Sequence, residues 1–131
     1  MNHPQPAAPA AGTEQSEETG VAMIGYSFMG AAHSHAWRSA PRFFDLPLLP
    51  RMRVLSGREP CGVKAAAARL GWEETETSWE TAVARDDVQL VDICTPGEAH
   101  GQIAIAARAR PRLRARVHPP GRRPDQCGLR G

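Results

Sequence analysis

The chain has one tyrosine, three tryptophans, three phenylalanines and a single lysine, Lys64, among 131 residues. A nucleic-acid surface of lysines interleaved with aromatics is therefore not expected. Its three cysteines, Cys61, Cys94 and Cys127, are odd in number, widely spaced and free of any C-x-x-C pair. That pattern excludes a disulfide framework and a sequence-local zinc site, and reads as reduced thiols in a cytoplasmic protein. No apolar run approaches the roughly 18 residues of a membrane span. The first residues lack a basic start followed by an apolar block, so no secretory signal is expected. A length of 131 residues allows one domain and leaves no room for a second of usual size.

What is present is unevenly spread. The net charge of +2 hides eight arginines and one aspartate in residues 108–131, against eight basic and thirteen acidic side chains before them. Residues 1–19 hold little to bury and read as a disordered acidic lead-in. Residues 20–109 read as the folded domain, and 110–131 as a disordered Arg/Pro/Gly-rich tail.

Within the folded part, apolar runs alternate with Ala-rich stretches. Residues 21–25, 51–56 and 88–94 read as strands buried on both faces, with a short strand in 72–77. Residues 29–40, 61–70 and 98–108 have helical composition, and Ser78 is a candidate cap for a further turn ending near Arg85. Pro41 is expected to end the first helix. Phe43, Phe44 and Leu46 in the proline-broken loop after it are expected to form a satellite core. The fold class is α/β: an incomplete doubly wound parallel sheet, Rossmann-like, with about four strands and helices on both faces. One sheet edge would be left open, and stability would be marginal.

Three elements carry chemistry. Gly25-Tyr26-Ser27-Phe28-Met29-Gly30 follows the first strand and opens a helix, the setting of a dinucleotide fingerprint, with Ser27 in place of the second glycine. A positive φ at Ser27 would cost roughly 1 kcal/mol, although its hydroxyl could also donate to a phosphate. Ser56-Gly57-Arg58 closes the second strand, where an acidic residue holds a ribose 2′-hydroxyl and an arginine tolerates a 2′-phosphate. The third element is Asp92-Ile93-Cys94-Thr95-Pro96, with His100 four residues beyond the proline.

In order and spacing, these elements resemble the nucleotide-binding half of the Gfo/Idh/MocA oxidoreductases, over residues 21–107. The resemblance implies an NADP or NAD site, with NADP favoured by Arg58. It is built from Gly25, Ser27, Phe28, Met29, Gly30, Ser56, Gly57, Arg58, Thr95, Pro96 and His100. It implies a sugar or polyol substrate for the full-length family. That family continues with a fifth strand and a Glu-Lys-Pro motif bearing a proton-handling lysine. Here residue 108 instead opens an arginine- and proline-rich run. A reading-frame shift explains that change better than a functional arm.

The expectation is thus a nucleotide-binding fragment without dehydrogenase activity, since the lysine and the substrate domain are missing. The alternative is a non-enzymatic nucleotide-sensing module with a basic docking tail. No metal site is expected. His33 and His35, two apart on a helix, face different ways, and no cysteine or carboxylate stands near either in sequence.

Overall fold

The computed structural model describes residues 17–110 together with the backbone of residues 114–117. Among the described residues, five strands form one sheet in the order β3-β2-β1-β4-β5, and every neighbouring pair is parallel. They are β1 (Glu18–Ile24), β2 (Leu49–Ser56), β3 (Glu74–Glu76), β4 (Leu90–Ile93) and β5 (Arg114–Val117). Helices α1 (Phe28–Phe43), α2 (Pro60–Leu70), α3 (Trp79–Ala84) and α4 (Gly97–Arg108) fill the intervals.

Strand alternation sorts the apolar side chains into two cores. Val21, Met23, Met52 and Leu55 pack with Val63, Ala66 and Ala67 of α2 and with Trp72. Ala22, Ile24, Val54, Val91 and Ile93 point the other way, onto Ala82 and Val83 of α3 and Ile103 and Ala107 of α4. A strand with apolar residues on both faces must be covered twice, which is why these segments read as continuous apolar runs. The chain moves outward from β1 to β3, then crosses back to place β4 on the other side of β1. That reversal opens a crevice at the carboxyl ends of β1 and β4, the position where open α/β sheets take ligands.

Several local expectations change. Helix α1 runs through Pro41 to Phe43. A proline in the last turn removes only one ladder bond, and the Phe44 N–H still reaches the Ala40 carbonyl at 2.9 Å. Phe43 and Phe44 are 77 % and 66 % exposed, so they form no satellite core. Strand β1 begins at Glu18, inside the stretch expected to be a lead-in; residues 1–16 lie outside the described residues. Strand β5 falls in the stretch expected to be a tail, and its backbone pairs with β4 from Leu90↔Arg114 to Ile93↔Val117. The remainder of 111–131 lies outside the described residues.

Candidate functional site

The β1–α1 turn is shaped by two glycines that cannot easily be replaced. Gly25 has φ +94°, and a Cβ there would stand 2.9 Å from the Cys94 carbonyl oxygen. Gly30 is buried under the turn, and a Cβ on it would stand 2.5 Å from the Gly25 carbonyl oxygen. The first glycine permits the turn and the second lets α1 lie close against β1. Gly25 N–H donates to the Ser56 carbonyl at 3.0 Å, and Cys94 N–H to the Ile24 carbonyl at 2.8 Å. The ends of β1, β2 and β4 are thereby locked side by side.

Ser27 sits at the N-cap of α1 with φ −70° and extended backbone, so the cost that a positive φ would bring does not arise. Its hydroxyl makes no capping bond, and no acidic residue lies in the first turn of α1. The N–H donors opening this helix stand at the positive end of its dipole beside the crevice, and the Ser27 side chain does not take them up. Phe28 beside them is 81 % exposed, whereas Met29 packs against the α2-side core.

The N-terminus of α2 is different. Glu59 caps it, its carboxylate accepting from Cys61 N–H at 3.0 Å and from Gly62 N–H. Ser56 is buried at the end of β2, and Arg58 is exposed with no hydrogen bond or ion pair among the described residues. Tyr26 is half-buried and lies across this second turn. A Cβ on Gly57 would collide with its ring, and one on Gly62 would stand 2.6 Å from its hydroxyl oxygen. Glycine at 57 and 62 therefore makes the place that the tyrosine fills. Neither Tyr26 nor Glu59 was singled out from sequence, because their roles depend on two turns 30 residues apart meeting at one edge.

Beyond β4, Thr95 and Pro96 lead into α4, with Pro96 at its N-cap. His100, counted among the cofactor-site residues that the resemblance implies, is buried at 9 % exposure. The Thr95 hydroxyl and both ring nitrogens of His100 are buried without a hydrogen-bond partner among the described residues. Buried polar atoms are nearly always satisfied, so these three atoms are open to a partner from water or a ligand.

Behind the crevice, on the α1 side of β4, His33 meets Asp92 and Cys94. Its Nδ1 lies 3.0 and 2.9 Å from the two Asp92 oxygens and 3.3 Å from the Cys94 sulfur. Burial and the neighbouring carboxylate push the Cys94 thiol far above its usual range, so it is protonated at neutral pH. His35 is exposed and points elsewhere, as its spacing from His33 requires. A cysteine and a carboxylate do join His33, contrary to the sequence expectation. They arrive across 61 and 59 residues, which local spacing cannot register.

Comparison with known proteins agrees with this arrangement. Residues 19–112 match the family described as oxidoreductase, NAD-binding Rossmann fold, of the Gfo/Idh/MocA type. A levoglucosan dehydrogenase of Pseudarthrobacter phenanthrenivorans is 41 % identical over 88 residues, covering 66 % of this chain and 23 % of that protein. The crystal structure of an oxidoreductase domain protein from Kribbella flavida is 59 % identical, with a TM-score of 0.73, over 77 % of this chain and 27 % of that one. A levoglucosan dehydrogenase in complex with NADH and levoglucosan is 39 % identical, with a TM-score of 0.68, over 70 % of this chain and 25 % of that one. The chain spans about a quarter of the length of these relatives. By the match over residues 19–112 and by its fold, it belongs to the Gfo/Idh/MocA oxidoreductases, whose NAD-binding Rossmann domain it carries.

Proposed function

We propose that the chain binds a nicotinamide dinucleotide across the β1–β4 crevice and does not itself carry out hydride transfer. The observation that carries this reading is the N-terminus of α1, not capped by the Ser27 side chain, beside the Gly25 turn, together with the buried polar atoms of Thr95 and His100 that have no partner among the described residues. The α1 donors suit a pyrophosphate, and the Ser27 hydroxyl adds one more. Phe28 and Met29 border that position, while Ser56, Gly57 and Arg58 border the adenosine end. Thr95, Pro96 and His100 stand on the nicotinamide side, where the polar atoms of the cofactor would satisfy theirs.

Among the two dinucleotides, NADH fits better than the NADP suggested by Arg58. The backbone donors of the β2–α2 turn that would receive a 2′-phosphate are already held by the Glu59 carboxylate. A phosphate placed there would meet a like charge, whereas a 2′-hydroxyl would meet an acceptor. A related levoglucosan dehydrogenase was crystallised with NADH, which supports the same choice.

Hydride transfer to or from a sugar or polyol carbinol carbon needs a group that handles the hydroxyl proton beside nicotinamide C4. The single lysine, Lys64, is exposed on α2, outside this crevice. The dehydrogenase chemistry of the family is therefore not carried by these residues alone.

Equilibrium titration with NADH and NADPH, read by nucleotide fluorescence and by melting temperature together, tests the reading. Saturable binding with NADH the tighter ligand, and a narrower preference in Glu59→Gln, is expected. Tighter NADPH binding would overturn the cofactor choice alone. A folded chain that binds neither would overturn the whole reading.

A further inference from the structure

We infer that His33, Asp92 and Cys94 form a three-ligand site for a divalent transition metal of zinc type. The three side chains come from the second turn of α1, from Asp92 on β4 and from Cys94 just past the end of β4, and their donor atoms lie within 4.8 Å of one another. Nitrogen to oxygen is 2.9–3.0 Å, nitrogen to sulfur 3.3 Å and sulfur to oxygen 3.6 Å. Around tetrahedral zinc the corresponding edges are about 3.3 Å for nitrogen–oxygen and about 3.5 Å where sulfur is a corner. The donors thus stand within a few tenths of an ångström of a coordination triangle before any ion is added.

The chemistry of the set fits as well. Imidazole, carboxylate and thiolate together suit zinc and cobalt(II), and a dication balances one carboxylate and one thiolate to give a neutral buried site. Asp92 is held in place by the Trp37 indole, whose N–H donates to Oδ2 at 2.8 Å. That leaves Oδ1, the oxygen nearest Cys94, to face the ion, with the tryptophan orienting the ligand from behind. Asp92 and Cys94 are 1 % and 6 % exposed, whereas the His33 side chain is 25 % exposed, so the ion would enter past the imidazole and keep a water there. Binding replaces the Cys94 S–H bond by a sulfur–metal bond, and His33 coordinates through its Nδ1 lone pair. The thiol proton and any proton on Nδ1 pass to solvent. Without an ion, the same residues form a hydrogen-bonded network that pins α1 to β4, and the experiment separates the two.

The test is titration of the reduced full chain with Co²⁺ in a Cys61→Ser, Cys127→Ser background, where Cys94 is the remaining thiol. The expected result is one equivalent bound, with a thiolate-to-cobalt charge-transfer band, visible bands of tetrahedral intensity, and a higher melting temperature. Zn²⁺ should displace the cobalt and release protons. Cys94→Ala should abolish the charge-transfer band, and His33→Gln should weaken binding at least tenfold, both with an unchanged far-ultraviolet circular dichroism spectrum. If Asp92→Asn fails to fold, these two variants still decide. A folded background chain that develops no charge-transfer band, or a band that survives Cys94→Ala, would overturn the site and leave the hydrogen-bonded network alone.

Discussion

A Cβ placed on Gly30 would stand 2.5 Å from the carbonyl oxygen of Gly25, so the helix and the turn that opens it touch backbone to backbone. Neither partner of that contact is a flexible side chain, and relief requires moving α1 off the sheet. Gly30→Ala should therefore destabilise the fold by about 1–3 kcal/mol, the range for overpacked sites. Urea unfolding followed by tryptophan fluorescence measures it. Gly25→Ala, at φ +94°, should cost about 1–2 kcal/mol from its backbone conformation alone.

Asp87 accepts from Arg53 at 2.6 and 3.0 Å and from Arg85 at 2.8 and 2.9 Å. The Arg85 guanidinium, then that of Arg53, holds its carboxyl well below the usual range. A depressed folded value means the contribution is present above the ordinary aspartate value of about 3.9 and is lost as pH falls below it. Because the Asp87 side chain is 34 % exposed, screening reduces the effect, and Asp87→Asn should cost about 1 kcal/mol at neutral pH. The variant should lose less stability on acidification than the parent, which urea midpoints measured between neutral pH and about 3 would show.

Among the described residues, neither ring nitrogen of the buried His100 has a hydrogen-bond partner. His100→Phe removes that desolvation penalty and should raise the melting temperature of the ligand-free chain. If NADH supplies the missing partner, the same variant should bind NADH several-fold more weakly, about the value of one hydrogen bond. Opposite signs in the two measurements are the expected signature.

Cys61 is exposed and Cys94 is buried with its thiol pushed far up by desolvation and by Asp92. A chromogenic disulfide reagent at mildly alkaline pH should modify Cys61 rapidly. In Cys127→Ser, the metal-free folded chain should release one equivalent quickly, and the second only on unfolding.

The parallel sheet was legible because strands covered on both faces need unbroken apolar runs, and residues 21–24 and 54–55 supply them. The glycine turn was legible because Gly25 and Gly30 meet backbone constraints that depend only on chain direction. The cost that a positive φ would bring at Ser27 does not arise, since this N-cap residue has φ −70° and extended backbone. Helix α1 outran Pro41 because a proline in a last turn interrupts little. Tyr26 against Gly57 and Gly62, the Glu59 cap and the His33–Asp92–Cys94 cluster were not legible. Each depends on which turns and faces the sheet brings together, and no periodicity within one segment encodes that.

The most direct measurement is an amide-resolved NMR titration of the folded chain with NADH. The account predicts that the largest saturable shifts fall on the amides of residues 25–31, 56–62 and 94–100, the three turns at the carboxyl ends of β1, β2 and β4. Shifts confined to the opposite end of the sheet, around Asp87 and Glu73, or no saturable shifts in a folded sample, would contradict it.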